Sequence, residues 1–355
     1  MDKKEKKKWS LRRKILVALC VALTLVLVLL VAATAYLEGV LGLINRTDPD
    51  KNHSGMSESE YMDSVLEDET LDPDFTGPEM DPNDVVWGNS TQIEKTADVI
   101  NILLIGQDRR QGEGRSRSDA MILCTINKKE KTLTLSSFMR DMYVQIPGHK
   151  DNRINASYAM GGMKLLDECL NKNFGVTIDG NIEVDFFGFM KAIDLVGGVE
   201  IELTSSEASY LNKHGNWDVE DNARKWNLKK GVNTLNGSQA VAYSRIRKIG
   251  NGDFGRTNRH RIVLNALLEK AKTMSITKLN ALLLEVLPLL TTDLSNAQIM
   301  GFTLELFPIL SDLTVNTQQI PADGTYKMTN IRGMSVILPD LEKNTKILEQ
   351  IMKTK

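Results

Sequence analysis

The stretch Ile100-Asn101-Ile102-Leu103-Leu104-Ile105 constrains this chain more than any other. A short apolar run that stops at Gly106 reads as a buried strand. A second apolar run, Met121–Ile126, follows after a polar loop, so two neighbouring strands are expected. Between them stand Asp108 and Arg109, the glycines Gly112 and Gly114, and then Arg117 and Asp119. Carboxylates at the mouths of adjacent strands suit a hard cation such as Mg2+. Interleaved guanidiniums grip phosphate oxygens in bidentate fashion. Taken alone, the same residues also fit a hairpin loop with solvated ion pairs.

The flanking composition divides the chain. Residues 1–14 are a basic tail, and Ile15–Leu37 carry no charge. That run is long enough to cross about 30 Å of hydrocarbon as a helix. Basic residues before it and Glu38 after it put the N-terminus in the cytoplasm. It exceeds the apolar core of a cleaved leader, so a single-pass anchor in the cell membrane is expected, with the rest extracytoplasmic. Residues 38–97 are expected to form an acidic, mostly disordered stalk. From Asn45 to Ala97 fourteen Asp and Glu meet only Arg46, Lys51 and Lys95. The near-neutral net charge of −2 therefore hides a mildly basic globular domain over residues 98–355.

Within that domain strands and helices alternate. Strands are expected at Met121–Ile126, Thr132–Ser137, Val199–Leu203, Leu313–Ile320 and Ser335–Leu338. Helices are expected at Met160–Asn173, ending at Gly175, and from Asp185 as N-cap through Val196. Asn236 caps Gly237–Ser244, and Arg256 to about Lys272, Thr277–Leu290 and Asn296–Phe307 follow. Pro339 opens the last helix. The fold class is therefore α/β, a central mixed sheet flanked by helices on both faces and preceded by one transmembrane helix.

Several chemistries lack their residues. Cys20, Cys124 and Cys169 have no CxxC spacing, the four histidines are scattered, and neither a GxSxG elbow nor a phosphate-binding P-loop is present. Arginines at strand and helix ends stand out instead. Arg140-Asp141 closes the strand after Ser137, and Arg153 follows between two asparagines. Arg245 and Arg247 are two apart, on one side if that segment is extended. Arg256 and Arg259 share a helical face at i, i+3, near a helix start that attracts anions. Guanidiniums without a lysine-rich patch suit a pyrophosphate pocket rather than a nucleic-acid groove, so no nucleic-acid partner is expected. Phe186, Phe187 and Phe189 crowd one short helix, too many for a narrow core stripe.

These segments resemble the LytR–CpsA–Psr family of cell-envelope phosphotransferases over residues 98 to about 272. The shared stretches include Asn101–Asp108, Arg117-Ser-Asp119, Arg140-Asp141, Asn155-Ala-Ser-Tyr158, Val196-Gly-Gly-Val199, Tyr243-Ser-Arg-Ile-Arg247 and Asp253-Phe-Gly-Arg256, in the family's order. The resemblance implies transfer of a glycopolymer from an undecaprenyl pyrophosphate donor to a peptidoglycan acceptor at the membrane, assisted by Mg2+. Asp108 and Asp119 would be the Mg2+ carboxylates. Arg109, Arg117, Arg140, Arg245, Arg247 and Arg259 would bind the pyrophosphate, and Arg153 and Arg256 join them as pocket candidates. Arg140, Asp141, Arg245 and Arg247 are the catalytic candidates, and Phe186, Phe187 and Phe189 would line a tunnel for the lipid tail. Three positions depart from the family's pattern: Met139 replaces a usual proline, Arg153 a lysine and His260 a glutamine. A polyprenyl pyrophosphate hydrolase and a non-catalytic wall-binding or regulatory protein stay open as alternatives.

Overall fold

The computed structural model describes residues 32–47, 57–62, 77–88, 91–107, 117–214, 226–250 and 252–353. Residues 32–41 are helical, and the segment up to Leu43 is a unit by itself. Most of the expected membrane span lies outside the described residues, among which no helix is long and apolar enough to cross a membrane.

From Ile44 onward the chain is one unit. Its strands are β1 (Asn45–Arg46), β2 (Val99–Gln107), β3 (Ser118–Asn127), β4 (Thr132–Phe138), β5 (Tyr143–Val144), β6 (Asn152–Arg153), β7 (Gly180–Asp185), β8 (Val199–Leu203), β9 (Gly231–Leu235), β10 (Leu290–Thr292), β11 (Thr314–Ile320), β12 (Tyr326–Ile331) and β13 (Met334–Pro339). Its helices are α1 (Ile154–Phe174), α2 (Phe186–Leu195), α3 (Ser205–His214), α4 (Gly237–Ser244), α5 (Gly252–Lys272), α6 (Ile276–Val286), α7 (Asn296–Leu306) and α8 (Leu341–Met352).

One sheet has the order β1-β10-β7-β2-β3-β4-β11. The Ile100–Ile105 stretch is at its centre: β2, β3 and β4 form an antiparallel meander, with Ile105 opposite Met121 and Met121 opposite Phe138. β7 and β11 join in parallel, β10 returns antiparallel, and so the sheet is mixed. Helices α1 and α8 cover one face and α5 lies against β4 and β11 on the other.

Several boundaries follow from local chemistry. Asp185 caps α2 by accepting from the Gly188 N–H at 2.8 Å, and Asn236 and Gln239 cap α4 reciprocally. Gly175 closes α1 at φ 68°, where a Cβ would stand 2.1 Å from the Thr91 carbonyl oxygen. Three expectations are corrected. α1 begins at Ile154 rather than near Met160, bending at Gly162. Pro339 ends β13, and Asp340 caps α8 by accepting from the Lys343 N–H. The acidic stretch is not simply a spacer: Tyr61, Val85 and Ile93 are buried in the main core, and Trp87 stacks on Tyr143 with ring centroids 6.0 Å apart.

The two faces of the sheet differ. Leu103, Ile105, Met121, Leu123 and Phe138 are fully buried against Tyr158, Leu166, Leu170 and Phe174 of α1. On the other face Ile122, Cys124 and Leu135 are buried, while Ile102, Leu104 and Leu133 are only partly so, as are Leu264 and Leu268 of α5 that pack there. Cys124 belongs to this second face and Cys169 to the first, and both are free thiols.

Candidate active site

The site is built where β3 begins and β4 ends. Because Met121 faces Phe138 across the antiparallel pair, Asp119 and Arg140, each two residues further out, come together at the same sheet edge. A register shift assists them: Gly106 pairs with Ala120 but Gln107 with Ser118, which leaves Asp119 as the extra residue of a bulge. Bulges re-aim a side chain and strengthen local twist. Arg140 Nη1 donates to Asp119 Oδ1 at 2.6 Å.

Arg140 spreads further. Its Nε lies 3.4 Å from Asp141 Oδ2 and its Nη2 3.7 Å from Asp253 Oδ2. Asp253 stands in the first turn of α5, where Arg256 reaches it at 3.2 Å and Arg247 at 3.7 Å. On the opposite flank Arg153 Nε is 3.6 Å from Asp141 Oδ1, and its Nη2 donates to the Ser335 carbonyl. Three carboxylates and four guanidiniums thus form one network, in which only Arg247 is substantially exposed.

Burial and charge divide the carboxylates. Burial alone would raise Asp119, but Arg140, Arg256 and Arg247 hold it below the usual carboxylate range. Asp253 is likewise held low against burial by Arg256 and Arg140. Asp141 goes the other way: burial and the Asp253 charge lift it to about 6 in spite of Arg140. Burial would lower Arg140, yet the three carboxylates lift it above its normal value. Arg256 is lowered to about 10 by burial and Arg140, still a cation at neutral pH. His260 is lowered to about 3 by burial and the Arg256 charge, so its imidazole is neutral.

The remaining candidates are placed differently. Asp108 and Arg109 lie outside the described residues. Arg117 precedes β3, near enough for its charge to act on the Tyr61 hydroxyl. Arg245 and Arg247 are not side by side on an extended segment, because Arg245 is the helical C-cap of α4. Its guanidinium lies over the Phe186 ring, 4.7 Å from the centroid, while Arg247 turns to Asp253. Arg259 stands apart from the carboxylate network. Its Nε donates to Glu207 of α3 at 2.9 Å, and its terminal nitrogens donate to the Ile246 and Ile249 carbonyls, each at 3.0 Å. It therefore ties down the loop that carries Arg245 and Arg247.

Sequence reasoning assigned no role to the hub Asp253 or to Glu207. For Asp253 the i, i+3 spacing to Arg256 was the available signal. Glu207 lies 52 residues from its partner and left none.

Beside the network lies an apolar region. α2 packs on α4 so closely that a Cβ on Gly237 would stand 2.1 Å from the Met190 carbonyl oxygen. Of its ten residues only Gly188 and Ile193 are buried. Phe186 and Phe189 are half-buried, and Phe187 is 63% exposed. α7 has no buried residue and its Leu304 is 77% exposed, but it lies elsewhere, its Glu305 pairing with Lys128 beyond the opposite end of β3 from Asp119.

Among the described residues no group of three or more acidic, histidine or cysteine side chains could hold a metal ion. Asp119 has one oxygen on Arg140, and the network around it carries surplus positive charge. This donor set suits an anion, and a divalent cation only in company with phosphate oxygens.

The LytR_cpsA_psr family model matches residues 63–353. The chain is 31% identical over 249 residues to the regulatory protein MsrR of Staphylococcus aureus, covering 69% of this chain and 71% of that protein. It is 37% identical over 184 residues to the polyisoprenyl-teichoic acid–peptidoglycan teichoic acid transferase TagU of Bacillus licheniformis, covering 51% and 55%. Among solved structures, Bacillus subtilis TagT bound to LI-WTA superposes with a TM-score of 0.57 at 28% identity, covering 72% of this chain and 90% of that one. YwtF (TagT) from the same organism, with bound octaprenyl pyrophosphate lipid, gives 0.55 at 26%, covering 74% and 93%. The motifs along the chain, the mixed sheet and these matches agree: the chain belongs to the LytR–CpsA–Psr family.

Proposed function

We propose that this protein is a membrane-anchored phosphotransferase that moves a glycopolymer from a polyprenyl pyrophosphate donor to peptidoglycan. The observation that carries this reading is the buried network in which Arg140 spans Asp119, Asp141 and Asp253 while three further arginines leave positive charge in excess. The surplus cation is Arg247, the exposed member of the network, and a guanidinium at that place is open to the oxygens of a diphosphate. The relatives named for teichoic acid transfer and for bound octaprenyl pyrophosphate support the same ligand class.

In this reading an acceptor hydroxyl attacks the sugar-linked phosphorus, the anhydride bond to the second phosphate breaks, and polyprenyl phosphate departs. The arginines neutralise charge gathering on the phosphoryl oxygens, so catalysis is mostly electrostatic. Asp141, lifted to about 6, is the carboxylate in the network suited to take the hydroxyl proton near neutral pH. Mg2+, when bound with the diphosphate, would be held by Asp119 and Asp108 and would supply further charge neutralisation. Arg245 over Phe186 stands where charged network and apolar helices meet. The half-exposed side chains of α2 and α6 supply an apolar surface for the polyprenyl tail, and residues 15–37 would anchor the chain with this domain outside the cell.

The deciding experiment incubates the full-length protein with lipid-linked donor and peptidoglycan oligomers and reads the products by mass. Peptidoglycan-linked polymer is expected. Free polymer would mean hydrolysis. Full complementation of a deletion strain by Asp119→Asn and Arg140→Ala variants would mean a binding or regulatory protein.

A further inference from the structure

Tyr61 lies just outside residues 63–353, the part matched by the family model, yet its side chain is completely buried. It comes from a single helical turn, residues 58–62, closed by a reciprocal cap. Ser57 Oγ accepts from the Glu60 N–H at 3.2 Å, and the Glu60 carboxylate accepts from the Ser57 N–H at 2.7 Å. Three contacts dock this turn on one short segment. Glu58 pairs with Lys150 at 3.3 Å, Met62 Sδ accepts from Asn152 Nδ2 at 3.6 Å, and the Tyr61 hydroxyl donates to Asn155 Oδ1 at 2.7 Å.

That segment holds the site in place. Arg153 pairs with Asp141, the Ile154 N–H donates to the Met142 carbonyl at 2.8 Å, and the Asn155 N–H donates to the Arg140 carbonyl at 3.4 Å. No side chain caps the start of α1, so its first N–H groups depend on these carbonyls. The bond to Arg140 is long and gains from lateral support. Tyr61 supplies that support from the side chain of the same Asn155. Its hydroxyl also lies within electrostatic reach of Arg153, Asp141, Arg117 and Arg140.

We propose that Tyr61 is a positioning residue for Arg140 and Asp141: through Asn155 it braces the first turn of α1 against the backbone that carries both. The proposal rests on the transferase reading for its effect on catalysis, but its structural half does not. A shift of about 1 Å in a charge-stabilising group can cost roughly a hundredfold in rate, so loss of a brace is felt in turnover before it is felt in binding.

The test compares the full-length wild type with Tyr61→Phe, which keeps the ring and therefore the packing, and with Tyr61→Phe/Asn155→Ala. Tyr61→Phe is expected to lower kcat about tenfold while KM for the lipid-linked donor changes less than twofold. Amide exchange at Asn155, measured without ligand, is expected to quicken about tenfold. The double variant is expected to be no slower than Asn155→Ala alone. Wild-type exchange at Asn155 in Tyr61→Phe would overturn the proposal whatever the transfer rates. So would a lowered Tm with wild-type kcat in the folded fraction. If the wild type itself transfers nothing, the transferase reading falls, and the exchange data still judge the brace.

Discussion

One sheet serves two purposes on its two faces. Leu103, Ile105, Met121 and Leu123 are sealed beneath α1, whereas Ile102 and Leu104, alternating with the first two along β2, are only partly buried on the side of α5. Period-two alternation makes this division possible, since neighbouring residues answer to different faces. The sealed face is packed as a protein interior normally is. The slack face and the helices near it keep apolar surface uncovered, as a surface that receives an apolar guest must. Stability and ligand capacity are thus encoded in alternate residues rather than in separate regions.

The largest expected effect tests the sealed face. Leu123→Ala should cost about 3 kcal/mol in chemical denaturation, within the range for emptying a packed core site. Leu104→Ala, on the slack face, should cost about 1 kcal/mol. Equal losses would erase the distinction between the faces.

The network at the sheet edge draws on both sides, with Arg153 at the start of α1 and Asp253 and Arg256 from α5. Arg140→Ala should lower transfer at least ~100-fold, about 2.7 kcal/mol in barrier, with Arg140→Lys restoring only part because a point charge cannot span several oxygens. Near-wild-type transfer by Arg140→Ala would make the network a structural device.

Over-packing sharpens the contrast at a smaller scale. Leu103→Phe should destabilise by about 2 kcal/mol, the usual penalty for crowding a full core. Leu264→Phe should cost less than ~1 kcal/mol yet weaken a long-chain polyprenyl donor about tenfold relative to a short-chain analogue. Equal weakening of both donors would remove the slack face from lipid binding.

The last test concerns pH. Asp141 has a folded-state value raised from 3.8 to about 6. Its contribution to stability is fully present below about 3.8 and is lost as pH rises through about 6. Asp141→Asn should therefore flatten the fall in stability between pH 4 and 7. Wild-type transfer should rise with pH through about 6. A variant whose stability keeps the wild-type slope would show that another group titrates there.

How much of this was legible depended on whether local chemistry or distant partners decided each element. α2, α4 and β8 were readable because Asp185, Asn236 and the Gly197-Gly198 turn mark their ends within a few residues. β7 was not read, although it lies near the centre of the sheet. Its sealed-face positions are Asn181 and Glu183, polar residues that hide the apolar alternation. Asn181 is buried by donating to Asp167 at 2.8 Å and Asp293 at 2.7 Å, and Glu183 by accepting from Tyr158. The arginines were recognisable as a set but not in their separate duties. Arg259 matches the others in residue type and spacing, and only Glu207 and two distant carbonyls reveal it as a tether. Tyr61 was hidden by its surroundings, a single aromatic ring in an acidic stretch of low apolar content.

The bulge at Asp119 bears on how this chain can lose residues. Substitution of Asp119 leaves the ladder irregular and only removes a carboxylate. Deletion of the residue would let Ser118 follow Ala120 in regular register and restore the pairing that the bulge interrupts. The shortened protein would gain a regular rung but leave the buried Arg140 with one carboxylate fewer, and the loss of that partner outweighs the gain. The irregular rung and the ion pair it aims at Arg140 therefore hold each other in place.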